Sequence, residues 1–193
     1  MGRSWTKAVI SVIALVFLAA PRAATQTRVY FTEEEVVERA LEGADSITAR
    51  VVSLAREQAE ILSDDLGAAM LDSMYVFHLA VVDSTVTRCT VVVNAMGQYQ
   101  PITLAVTLRM DGLVEGVQIM VYRESRGGEV RRRAFLEQFE ERTADGGLRL
   151  GGDIRHVTGA TISSRGVTDG VRLAARLQQL FFPHSAAASE PTP

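Results

Sequence analysis

From Met74 onward the chain is written in short runs rich in β-branched residues, and this limits its possible folds more than any other feature. Residues 75–82 and 85–94 carry valine and threonine at high density. Side chains branched at Cβ pack well on a pleated, half-buried surface, so both runs are predicted strands. Met110, Asp111 and Gly112 supply a hairpin turn, with glycine available for the positive φ that such turns need. A run of strands followed by helices predicts an α+β domain, an antiparallel sheet flanked by helices.

The principal helix is expected after residue 161. Val167, Val171, Ala174, Leu177 and Phe181 recur at helical spacing and form one apolar face that must pack on the sheet. Ahead of it stands Val157-Thr158-Gly159-Ala160-Thr161-Ile162-Ser163-Ser164-Arg165. Gly159 and Ala160 are small enough to let a bulky group approach the backbone beside the Thr161 hydroxyl. Ser163 or Ser164 is predicted to cap the helix, whose unpaired N–H groups and positive dipole end favour an anion. Two readings fit the string: a turn leading into a capped helix, or a phosphate receptor with Thr161 at its centre.

Residues 28–72 read as an N-terminal helical extension. Thr32, followed by Glu33, Glu34 and Glu35, is an N-cap with an acidic first turn, opening a helix to about Leu41. A second helix is expected over residues 55–66. Residues 129–142 are predicted to form a charged helix with Val130, Phe135, Leu136 and Phe139 inward, leaving Arg131, Arg132 and Arg133 on a solvated face. Residues 184–193 have little to bury and are expected to be a disordered tail of no assigned function.

At the start, Arg3 and Lys7 precede the apolar run 8–20. A positive head and an apolar stretch of this length mark a secretory signal, or an uncleaved anchor, over residues 1–27. The body of the protein is therefore expected outside the cytoplasm, in the periplasm or tethered to the membrane facing outward. The net charge of −3 implies no broad basic surface, so no nucleic-acid partner is expected. Cys89 is the only cysteine, which excludes an intramolecular disulfide and a cysteine metal cluster; it reads as a buried strand residue.

Other chemistries find no support. His78, His156 and His184 lack ligand spacing, so no zinc or haem site is expected. Ser163 or Ser164 with His156 lacks the elbow and oxyanion loop of a hydrolase. Neither a dinucleotide-binding glycine motif nor a Walker-type loop is present.

The Thr158-Gly159-Ala160-Thr161 string resembles the attachment motif of the FMN-binding domain family, found in the FMN-carrying subunits of the Rnf complex and of the sodium-pumping NADH:quinone oxidoreductase. Further segments resemble the family in the same order. These are residues 100–108 with Asp111-Gly112, residues 117–130, residues 135–139, Leu148-Arg149-Leu150 and Asp153-Ile154. The likeness spans residues 97–181 and is weaker over 31–67, which places the FMN-binding domain at residues 73–183.

The resemblance implies FMN joined through its phosphate to Thr161, with Thr158, Gly159, Ala160, Ser163 and Ser164 around the phosphate. It also implies that the loop of Glu124 and Ser125 flanks the ring. A flavin-transferring enzyme would install the group, and membrane-associated redox proteins would be the partners of what is more an electron carrier than a stand-alone enzyme. The chain departs from the family pattern in two places. Arg155 stands where an acidic residue usually lies six places before the acceptor, and Glu141-Arg142 replaces a Gly-Lys pair. Arg155 favours an alternative: a member that has lost flavinylation and serves as an interaction module of a membrane-associated assembly. A reductase acting directly on a small acceptor ranks last, because no substrate pocket is evident.

Overall fold

The computed structural model describes residues 27–66 and 69–183; the apolar run 8–20 and the tail 184–193 lie outside them. The elements in chain order are β1 Arg28–Val29, α1 Glu33–Ala40, β2 Ser46–Ser53, α2 Arg56–Leu66, β3 Ala69–Met70, β4 Met74–Val82, β5 Thr85–Met96, β6 Pro101–Arg109, β7 Val114–Tyr122, α3 Arg133–Leu136 and α4 Thr161–Phe181. The strands form one antiparallel sheet in the order β1-β7-β6-β5-β4-β2, with β3 added beside β5. The α+β architecture expected from the sequence is the observed one.

Alternation along the strands sorts the two faces, because successive side chains point to opposite sides. Cys89, Val91, Val93 and Ala95 of β5, with Ile102, Leu104, Val106 and Leu108 of β6, turn to one side and are fully buried. On this side lies α4, packed through Val167, Val171, Ala174 and Leu177, with Phe181 at the margin. The other face carries Ala105 and Met120 against Val36 of α1, and Ala80 against Val37 and Leu41. A buried Thr90–Thr107 hydroxyl pair at 3.0 Å satisfies its own polar atoms there.

Helix α4 sits unusually close to the sheet. A Cβ added to Gly166 would lie 2.5 Å from the carbonyl oxygen of Met96, and one added to Gly170 would lie 2.5 Å from Leu104 Cδ1. Helix α1 opens on the expected cap: the Glu35 N–H donates to Thr32 Oγ1 at 3.2 Å and the Thr32 N–H to Glu35 Oε2 at 2.8 Å.

Two expectations need correction. Residues 28–72 are not helical throughout: α1 and α2 fall where predicted, but between them Ser46–Ser53 is an eight-residue strand paired along its length with β4. This extension therefore contributes to the same sheet as the rest of the chain. Residues 129–142 are not one helix. A 3₁₀ turn at Gly128–Arg131, the single α turn α3 and a second 3₁₀ turn at Glu137–Phe139 follow one another, broken at Arg132, whose backbone is extended (φ −62°, ψ 135°). Val130, Phe135 and Phe139 are nevertheless buried, and Leu136 partly so. Arg131, Arg132 and Arg133 are exposed as expected, Arg131 stacking 3.3 Å over the Tyr30 ring.

Cys89 is fully buried, and burial pushes its thiol up to about 12. The thiolate is the reactive form, so native protein is expected to resist maleimide at pH 8 and to label stoichiometrically once unfolded. Labelling of the native state at the rate of a free thiol would contradict this burial.

Candidate functional site

Helix α4 begins at Thr161, with Ala160 in the N-cap position and no side-chain cap. The predicted serine caps are therefore wrong: Ser163 and Ser164 lie inside the first turn, and both hydroxyls are engaged elsewhere. The Ser164 hydroxyl accepts from the Val157 N–H at 3.0 Å, tying the approach segment to the helix. Ser163 Oγ is 2.8 Å from the Tyr122 hydroxyl, which donates to the Arg126 carbonyl at 2.5 Å. Since the phenol has a single proton, Ser163 must be the donor in their contact. The consequence is an α4 N-terminus left open, with Thr161 and Ile162 exposed at its rim.

The opposite wall is the loop after β7. Gly127 stands at φ +82°, and a Cβ there would lie 2.5 Å from Ser163 Oγ and 2.8 Å from the Tyr122 hydroxyl, so only glycine lets the loop cross this close to the helix. Between loop and helix lies a cleft of about 340 Å³ lined by Gln98, Arg126, Gly127, Gly159, Ala160, Thr161, Ile162 and Ser163.

The cleft brings together four of the residues singled out from sequence: Gly159, Ala160, Thr161 and Ser163. It does not include the other four. Thr158 and Ser125 are exposed outside the lining, and Ser164 is buried behind it. Glu124 is buried too, accepting the N–H groups of Tyr99 at 2.5 Å and Gln100 at 3.0 Å. Its carboxylate fixes the β5–β6 turn that carries Gln98. Gln98, Arg126 and the supporting Tyr122 escaped sequence reasoning. The signal for Arg126 was a cation directly before two glycines, in a loop already under consideration.

Segment 155–157 is pinned from outside as well. The side-chain amide of Gln138 donates to the Arg155 carbonyl at 3.2 Å and accepts the Arg155 N–H at 3.0 Å, while the Arg155 side chain is exposed. Because Ser163 and Ser164 spend their hydroxyls on Tyr122 and Val157, neither is arranged as a nucleophile with His156. No cluster of potential metal ligands occurs among the described residues.

Replacing Tyr122 with Phe removes the hydroxyl that joins loop to helix, and a loss of about 1–2 kcal/mol in unfolding free energy is expected. Burial, the largest influence, raises the Tyr122 phenol above its ordinary value, and Tyr75 is raised chiefly by burial as well. A raised folded value stabilises fully below the unfolded value near pH 10 and is lost as pH climbs through the folded one. Denaturant titrations should therefore show stability falling above about pH 10, and Tyr122→Phe should flatten that fall while Tyr75 retains its share. An equally steep alkaline limb in the variant would exclude Tyr122 as a source.

Fold and cleft together define an α+β domain with a cleft at the start of its long, uncapped helix, beside an accessible threonine hydroxyl. Comparison with known proteins agrees with the family resemblance: residues 97–176 match the family model of the FMN-binding domain. Among solved structures, NqrC of Shewanella oneidensis is similar in fold, with 19% identity and a TM-score of 0.53 over 75% of this chain and 86% of that one. Curated protein sequences give no match. The matched segment runs from the turn that carries Gln98 into α4, and so contains every residue lining the cleft.

Proposed function

We propose that this chain is an extracytoplasmic FMN-binding electron-transfer protein whose FMN is esterified through its phosphate to Thr161. The observation that carries the reading is the Thr161 hydroxyl, exposed at the first residue of an uncapped helix and lining the cleft. An acceptor hydroxyl must be reachable by a transferring enzyme, and its product must leave an anionic phosphate where positive charge is available; a helix N-terminus offers that.

Gly159, at φ +80°, turns the chain so that Thr161 begins the helix. Ser163, Tyr122 and Gly127 hold the opposite loop at a fixed distance. FMN, when bound, supplies reversible one- and two-electron chemistry, and the protein supplies anchorage and electrostatics. Esterification needs a flavin-transferring enzyme and a flavin dinucleotide, whose phosphoanhydride breaks as the Thr161 phosphoester forms, releasing the other nucleoside as its monophosphate together with the hydroxyl proton. The net gain is one FMN less one water.

The apolar run 8–20 behind Arg3 and Lys7 supports export or anchoring, and the family resemblance supports membrane-associated redox partners. A covalent tether suits a compartment where a lost cofactor is not regained. The second reading, a member without flavin acting as an interaction module, is favoured by Arg155, since a cation replaces the usual acidic residue on an exposed position of the segment leading to Thr161.

The test is intact mass of the full chain co-produced with a flavin-transferring enzyme in an exporting host. A gain of FMN less water, mapped to the peptide containing Thr161, supports the carrier. An unmodified chain beside a relative that bears the acidic residue and is modified in parallel supports the interaction module.

A further inference from the structure

We propose that Arg126 makes the cleft select the phosphorylated flavin, so that FMN binds reversibly by its phosphate in preference to riboflavin, independently of any ester bond to Thr161. The inference rests on the flavin reading above and adds a specificity residue to it.

Of the eight residues lining the cleft, Arg126 is the one that carries a charge, and no carboxylate joins it there. The loop that bears it is fixed by the Tyr122 hydroxyl on the Arg126 carbonyl and by the close passage of Gly127 over Ser163. Arg126 thus stands on an anchored loop and lines the same cleft as Thr161, and no ion pair within the described residues neutralises it. Arg155 and Arg165 are exposed outside the lining.

The oxidised ring and the ribityl chain of FMN are uncharged at neutral pH, and its phosphate carries roughly −1.5 to −2 charges. A single cation in a pocket free of carboxylates therefore acts on the one feature by which FMN differs from riboflavin. A guanidinium also suits phosphate oxygens in geometry, offering paired N–H donors. The uncapped first turn of α4 adds its N–H groups on the Thr161 side.

The experiment uses the full chain prepared without a flavin-transferring enzyme, titrated with FMN and with riboflavin while flavin fluorescence is followed. Wild-type protein should bind FMN at least about tenfold more tightly than riboflavin, the scale of one charge-assisted contact. Inorganic phosphate should compete with FMN but not with riboflavin, and raised salt should narrow the ratio. Arg126→Ala should bring FMN affinity most of the way down to the riboflavin level, leaving only the share of the α4 N–H groups, with riboflavin binding unchanged, and Arg126→Lys should retain more of the preference. Because Arg126 is exposed, unchanged riboflavin binding also reports an intact cleft.

Equal affinities in the wild type, an unchanged ratio in Arg126→Ala, or no binding of either flavin overturns the proposal. The covalent reading is decided separately by the mass measurement. An adduct on Thr161 without FMN preference refutes the role of Arg126 alone. Preference without an adduct leaves Arg126 standing and refutes the ester.

Discussion

Protein carrying Thr161→Ala should gain no flavin mass under conditions in which the wild-type chain gains one FMN less water, an all-or-none effect. The hydroxyl is the sole atom removed that can form the ester, and its loss costs the fold little. Thr161 is exposed, it makes no side-chain cap for α4, and alanine is the better helix former by a few tenths of a kcal/mol. Thermal midpoints of variant and wild type should therefore agree within about 2 °C. Thr161→Ser keeps the nucleophilic oxygen and should remain modifiable. The two serines of the first turn offer no bypass, because Ser163 is buried against Tyr122 and Ser164 against the Val157 N–H. Flavin retained on Thr161→Ala, mapped to Ser163 or Thr158, would show that the cleft presents a different acceptor.

The largest structural effect is expected at Gly166. Its missing Cβ would sit 2.5 Å from the Met96 carbonyl oxygen and 3.3 Å from the Met96 carbonyl carbon, both backbone atoms of β5. Backbone in a paired strand yields only if the ladder yields, so valine here should lift α4 from the sheet. Overpacking costs about 1–3 kcal/mol for a single added group, and the further methyls of valine should carry Gly166→Val beyond about 4 kcal/mol, close to the whole stability of many domains. Gly166→Ala and Gly170→Ala provide the comparison. At Gly170 the nearest atom is Leu104 Cδ1, the end of a side chain that can rotate away, so Gly170→Ala should cost less. Chemical denaturation that ranked Gly170→Ala as the costlier, or found Gly166→Val neutral, would mean that α4 is not held as close as described. Since Thr161 begins the same helix, loss of seating should also reduce flavin binding.

The sheet was legible where each strand carries its own signal. Residues 75–82 and 85–94 are dense in β-branched residues, and β4 and β5 follow those runs closely. β2 was missed because its signal is not local. Ser46–Ser53 exposes all but Val52, so no buried face is written into it, and pairing with β4 across α2 makes it a strand. The break at Arg132 was missed for a related reason: Val130, Phe135 and Phe139 are spaced compatibly with one helix, and the spacing of inward residues does not reveal whether the backbone between them stays helical.

At the site, residue types were readable and their partners were not. Small residues before a threonine at the head of an amphipathic helix announce an accessible hydroxyl, and Gly159, Ala160, Thr161 and Ser163 do line one cleft. Sequence alone determined the α+β class, the apolar face of α4 and the position of Thr161, because periodicity and local residue size are properties of contiguous chain. Tertiary structure decided that Ser163 serves Tyr122 instead of capping α4, that Glu124 braces the turn of Gln98, and that Arg126 lines one cleft with Thr161. A hydroxyl or a carboxylate can satisfy itself with any donor or acceptor brought within about 3 Å, and only the packing of β7 and its loop against α4 determines which one that is.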